Sequence, residues 1–155
     1  MSSGITIRQA GLRDISEACR MIAAHVLYER ATVDLEGARH RLESELRSET
    51  PRVRLWIAAD QKGNALGYAS ATIDYSTWTA LPYLHMDCLF VDQDSRGAGI
   101  GALLLQRLKD FDQEAGVHEI QWQTPDWNRR AQEFYLRTGA IQSTKARFKL
   151  VLSPS

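Results

Sequence analysis

Three glycines at positions 97, 99 and 101, in Ser95-Arg96-Gly97-Ala98-Gly99-Ile100-Gly101, constrain this chain more than any other feature. They stand between an apolar run over residues 83–91 and a stretch in which Ile100, Leu103, Leu104, Leu108 and Phe111 recur at helical spacing, ending near Gly116. A strand buried on both faces that turns through glycines directly into an amphipathic helix is a crossover of an α/β sheet. Missing Cβ atoms let backbone approach an anion closely, and the first amides of the new helix have no acceptor within it. The segment is a candidate diphosphate cradle. No Gly-Lys-Ser/Thr follows it and the spacing is not GxGxxG, which argues against P-loop hydrolysis and dinucleotide redox chemistry. Taken alone, the same residues also suit a flexible turn into a helix.

The rest of the pattern supplies the sheet. Ile5 and Ile7 alternate with Thr6 and Arg8, as in a short strand over residues 5–10. Ile15, Ala18, Cys19, Ile22 and Val26 predict a helix over 14–30, and Leu35, Ala38, Leu42 and Leu46 predict a second one capped by Asp34. Residues 53–59 and 66–75 are β-rich and flank Asp60-Gln61-Lys62-Gly63-Asn64, the turn of a hairpin. Further on, 119–124 reads as a strand stopped by Pro125, 129–138 as a helix closed by Gly139, and 147–152 as a last strand. The order β-α-α-β-β-β-α-β-α-β predicts a mixed α/β sheet. At 155 residues with no linker or repeat, residues 1–155 are expected to form a single domain.

Charge excludes some partners. Nineteen basic and nineteen acidic residues leave no general pull toward nucleic acid or anionic membrane. Cys19 and Cys88 form no CxxC pair, and there is neither an apolar leader nor an 18-residue apolar run, so a cytoplasmic protein is expected. His25, His40, His85 and His118 are scattered without metal-ligand spacing, and no metal is expected.

The arrangement Arg-x-x-Gly-x-Gly after a buried strand resembles the acetyl-CoA signature of the GNAT-type N-acetyltransferases. A second motif supports the likeness: Asn128-Arg129-Arg130-Ala131-Gln132-Glu133-Phe134-Tyr135 with Gly139-Ala140 is similar to the family's Asn-x-x-Ala-x-x-Phe-Tyr-x-x-x-Gly-Ala. The two motifs cover residues 83–140, and the region around Gln121-Trp122-Gln123 resembles the diamine (polyamine) acetyltransferase branch. The resemblance implies a GNAT-like fold with acetyl-CoA as co-substrate. It also implies that backbone groups of Leu89 and Val91 hold the pantetheine and thioester, and that Arg96, Gly97, Ala98, Gly99, Ile100, Gly101 and Ala102 hold the pyrophosphate. Asn128 would bind pantetheine, or cap the helix that follows. Tyr135 would protonate the departing thiolate, or pair with Phe134 as a core aromatic.

Acyl transfer to an amine needs a base, since an alkylammonium of pKa about 10.4 is barely nucleophilic at neutral pH. Asp87, in the apolar run, is the candidate, because a carboxylate there is costly unless satisfied or functional. In the branch that this strand resembles, a glutamate occupies the matching place; an aspartate is one methylene shorter, and it can instead serve to accept backbone amides. His85, on the same strand face by period-two spacing, is an alternative base. Cys88 lacks a legible base partner for covalent chemistry. Tyr28-Glu29, Asp74-Tyr75 and Trp78 can line a cationic amine by charge and cation–π attraction, or be ordinary surface residues. The expected acceptor is a small polyamine-like or amino compound, with a peptide N-terminus or a non-catalytic acyl-CoA sensor as alternatives. The resemblance further implies a homodimer.

Overall fold

A computed structural model describes residues 4–153. The chain divides after Gln123 into two compact units. The first contains β1 (Thr6–Gln9), α1 (Ile15–Tyr28), α2 (Leu35–Arg47), β2 (Arg54–Ala59), β3 (Ala65–Ser76), β4 (Leu81–Val91), α3 (Ile100–Glu114) and β5 (Ile120–Gln121). The second, from Thr124, contains α4 (Arg129–Arg137). The fold class is mixed α/β, as the element order predicts. Among the described residues no helix is long and apolar enough to cross a membrane.

The sheet runs β1-β2-β3-β4-β5, antiparallel up to β4 and parallel between β4 and β5. Strand alternation sorts its side chains onto two faces. Ile57, opposite Tyr68, and Phe90 pack with Met21 of α1 on one face. Trp56, opposite Ala69, turns to the other, where Phe111 of α3 meets it edge-on with centroids 5.2 Å apart. Gly67 lies on that second face, and a Cβ there would stand 2.7 Å from the Phe90 carbonyl oxygen and 3.4 Å from Leu104 Cδ1. The β3–β4 pair and α3 approach closely because that position carries no side chain.

The expected turn chemistry is present. The Asp60 carboxylate accepts from the amides of Lys62 and Asn64, both at 2.9 Å, and Gly63 takes φ +86°. Asp34 caps α2 by accepting from the Gly37 amide at 3.0 Å. Two expectations need correction. The strand expected over 119–124 pairs only at Ile120 and Gln121. Residues 147–152 form no strand: Phe148, Leu150 and Leu152 are exposed, and the segment has the alternation of a strand with no ladder partner among the described residues.

Strand β1 is tied to the start of α1 by Arg8, whose Nη2 and Nη1 donate to Asp14 Oδ1 and Oδ2 at 2.7 and 2.9 Å, while the Gly11 amide donates to Oδ2 at 2.9 Å. Asp14 is buried, and the Arg8 hydrogen bonds hold its carboxyl below the usual carboxylate range. Asp14→Ala is expected to cost about 2 kcal/mol, the range of charge-assisted bonds, in urea denaturation at neutral pH. Because the folded carboxyl titrates below its unfolded value of about 3.9, its contribution is complete above that pH and fades as pH falls through the lower folded value. The gap between wild type and variant should therefore close in acid; a gap independent of pH would show that the charge does not carry the effect.

Candidate functional site

The site begins with an unfilled strand edge. β4 pairs with β3 along its length, but β5 accompanies it only at Leu84 and His85. Beyond His85 no strand continues that ladder among the described residues. The Asp92 amide donates to Leu66 of β3 at 2.8 Å, so by alternation Phe90 and Cys88 turn their backbone groups to β3 and Leu89 and Val91 turn theirs to the open edge. The Val91 carbonyl is met there by Arg96 Nε at 2.9 Å. A buried strand with an open edge is a place for an extended ligand to complete its hydrogen bonds.

A bulge interrupts the same strand. Ser70 pairs with Cys88 and Ala71 with Met86, leaving Asp87 as the extra residue. This corrects the environment expected for Asp87: its side chain is 66% exposed at the bulge instead of enclosed in an apolar strand. Bulges re-aim side chains, and here Asp87 Oδ1 comes within 4.0 Å of His85 Nε2, so the two residues do share a side.

The strand leads into the cradle. Gly97 and Gly99 take φ +86° and +80°, and Gly99 stands at the N-cap of α3. A Cβ at either would meet nothing within 4 Å, so the backbone conformation, not crowding, calls for glycine. No side chain caps α3 and no acidic residue lies in its first turn. The amides of Ile100, Gly101 and Ala102 thus lack intrahelical acceptors, and no carboxylate of the helix's own first turn competes for them, which suits a phosphate-sized anion.

Against the bulge, α1 packs a polar chain that the sequence did not reveal. His25 Nδ1 lies 2.8 Å from the Tyr68 hydroxyl, and its Nε2 faces Glu29 one turn on. Burial holds His25 below the usual imidazole range, against the opposing influence of Glu29. Burial also pushes the Tyr68 phenol well up, and with a smaller contribution from Asp87 it raises the Cys88 thiol to about 11. A thiol of that pKa is ionised to only about one part in ten thousand at pH 7, which argues against covalent catalysis through Cys88. The only sequence signal for this chain was His25 at i,i+4 from Glu29; its partner Tyr68 lies 43 residues away.

Of the acceptor-side candidates, His85 lies beside Asp87, Glu29 lies beside His25, which also feels the Asp87 charge, and the others are set apart. Asp74 is opposite Tyr83, four residues along β4 from Asp87, or about 13 Å at ~3.3 Å per residue. It accepts from Thr72 Oγ1 at 3.0 Å and lines a groove of about 380 Å³ with Arg52, Arg54 and Ile73. Trp78 sits beyond the Ser76–Leu81 pair at the hairpin tip, 94% exposed. In the second unit, Asn128 caps α4, its Oδ1 accepting from the Ala131 amide at 3.2 Å. Tyr135, half-buried on α4, lies 5.3 Å from Phe134 between ring centroids. Among the described residues, no cluster of three or more His, Cys, Asp or Glu is placed to hold a metal ion.

Comparison with known proteins bears on what such a site does. Residues 21–140 match the model of the acetyltransferase (GNAT) family. The chain is 25% identical over 149 residues to thialysine N-epsilon-acetyltransferase of Bos taurus, covering 92% of this chain and 87% of that protein. It is 30% identical over 111 residues to a peptidyl-lysine N-acetyltransferase of Escherichia coli (strain K12), covering 70% and 65% respectively. The crystal structure of a probable acetyltransferase superposes with a TM-score of 0.81 at 20% identity, covering 97% of this chain and 99% of that one.

The contact of Cys88 with the bulge can be measured. Its Sγ donates to Asp87 Oδ2 at 3.6 Å, and the Asp87 charge helps raise the thiol. Asp87→Asn is expected to speed iodoacetamide alkylation of Cys88 at pH 8 several-fold, read by peptide mass spectrometry, with Cys19 unchanged as an internal control. An unaltered Cys88 rate would show that Asp87 does not act on the thiol.

Proposed function

The chain belongs to the GNAT acetyltransferase family, enzymes of the acyltransferase class that use acetyl-CoA as co-substrate, and within it we propose that this protein acetylates the primary amine of a small polyamine-like or amino compound by direct transfer in a ternary complex. The observation that carries the reading is the open edge of β4 followed, through a short turn and the glycines, by an uncapped helix start, which offers backbone groups for a pantetheine arm and amides for a pyrophosphate. On this reading Leu89, Val91 and Asn128 hold the arm, and Arg96, Gly97, Ala98, Gly99, Ile100, Gly101 and Ala102 hold the phosphates. Residues 1–155 then act as one transferase domain.

Asp87 is the base. Its exposure at the bulge allows a water to link it to the incoming ammonium, and His85 at 4.0 Å is the alternative. Asp87 takes one proton of the ammonium through water, and the neutral amine nitrogen bonds to the thioester carbonyl carbon; the carbon–sulfur bond breaks, Tyr135 gives its proton to the thiolate, and the second nitrogen proton, released as the amide forms, restores Tyr135 through solvent. The products are an N-acetyl amide and the free thiol of the coenzyme. Glu29 and Asp87 place negative charge on the acceptor side, which suits a cationic amine. The printed names of the relatives, one for the ε-amine of thialysine and one for peptidyl lysine, support an amine at the end of a flexible chain. Asp74 and Trp78 would then contact only a long acceptor.

The free thiols of Cys19 and Cys88 suit a reducing compartment, and we place the enzyme in the cytoplasm. Exposed Phe148, Leu150 and Leu152 support a homodimer that covers them.

Thiol release from acetyl-CoA across polyamines, lysine analogues, a lysyl peptide and a peptide with a free N-terminus tests the reading. A small amine should turn over fastest; preference for either peptide would replace the small acceptor with a protein one, and coenzyme binding without turnover on any amine would favour a non-catalytic module. Asp87→Asn and Tyr135→Phe should each lower kcat about a hundredfold, the lower range for a lost acid or base. Light scattering should give twice 17.5 kDa, and a monomeric mass would sink the dimer.

A further inference from the structure

Arg96 is the last residue with a side chain longer than a methyl group before the glycines, and its guanidinium is held on three sides within the first unit. Nε donates to the Val91 carbonyl at 2.9 Å. Cζ lies 4.6 Å from the ring centroid of Tyr28 and 5.6 Å from that of Phe90, both within the range of cation–π attraction. Phe90 is itself backed by His25, stacked at 5.1 Å with planes 26° apart. Tyr28, His25 and Glu29 form the last turn and cap of α1, the helix on the acceptor side. The same helix also grips the start of this segment: Arg20 Nη2 donates to Asp92 Oδ2 at 2.9 Å and to the Ala65 carbonyl at 3.2 Å.

These contacts matter because the cradle cannot hold itself. Gly97 and Gly99 lose more conformational freedom on ordering than any other residue, and neither has a side chain to pack. The stiffness of the loop's entry therefore comes from Asp92 and Arg96, and α1 anchors both. A guanidinium with its Nε used and aromatic rings against it has few rotamers left, so its remaining N–H groups are aimed before any anion arrives.

We propose that Tyr28 is a positioning residue for the coenzyme site: its ring holds Arg96 in the orientation that receives the pyrophosphate, so the end of the acceptor-side helix tunes acetyl-CoA affinity. The inference rests on the coenzyme reading of the cradle. Tyr28 is 38% exposed, so its replacement leaves the core of the sheet intact.

Calorimetric titration of acetyl-CoA into wild type, Tyr28→Phe, Tyr28→Leu, Arg96→Met and the Leu/Met double variant tests it. Tyr28→Leu keeps an apolar side chain but has no π face, and should raise Kd about three- to twentyfold, the range of a partly desolvated cation–π contact. Tyr28→Phe should bind as wild type does. In the Arg96→Met background, Tyr28→Leu should have no further effect, because the ring acts through the guanidinium. The proposal is overturned if Leu binds as tightly as Tyr, if Phe is as weak as Leu, or if Leu weakens binding equally without Arg96. Wild-type protein that binds no acetyl-CoA would overturn the coenzyme reading itself and this inference with it, a result distinct from the other three.

Discussion

Every backbone amide and carbonyl buried in a sheet has to find a partner, and among the described residues β4, an inner strand of the sheet, has most of one edge unpaired. β3 closes one edge from Ser76–Leu81 to Gly67–Val91, whereas β5 closes the other only at Leu84 and His85. The rest of the structure is arranged around the remainder of that edge. The Arg96 side chain takes one carbonyl, the bulge at Asp87 shifts strand parity midway, and the glycines carry the chain from the end of the edge into a helix whose first amides are also unmatched. The open part of the β4 edge and the uncapped start of α3 thus lie at the two ends of one short segment that carries Arg96 and the glycines.

Rigid neighbours are needed for such an edge to stay open without collapsing. On one face Trp56, Leu104 and Phe111 pack α3 tightly, and Gly67 lets the layers approach. On the other, α1 is fixed at its start by Arg8 and Asp14, midway by Arg20 and Asp92, and at its end by Tyr28 on Arg96. The ion pairs with one exposed partner add little stability each, but their placement fixes where the helix ends. That end carries Glu29 and His25 to the bulge.

Much of this was legible in the chain. Apolar periodicity marked α1, α2 and α3, and the turn at Asp60–Asn64 and the caps at Asp34 and Asn128 are local chemistry that reads directly from residue type. The glycines at 97 and 99 indicated positive φ, which both adopt. The strand over 147–152 was misread for an instructive reason: alternation of Phe148, Leu150 and Leu152 states which faces the side chains would take, but a strand exists only if a partner completes its ladder. The shortness of β5 was invisible on the same ground.

By itself, then, the sequence determined the order of elements as far as α4, the positive-φ glycines that lead into α3, and the family, because helix periodicity, glycine conformational freedom and a spaced motif are local properties of the chain. Only the tertiary structure decided that Asp87 stands exposed at a bulge, that Trp78 lies about 20 Å from it along the hairpin at ~3.3 Å per residue, and that His25, Tyr68 and Arg96 are tied to α1. Register, bulge position and the meeting of residues 43 or 68 apart in sequence depend on which strand edges pair and which helix covers them, and no local pattern encodes that pairing.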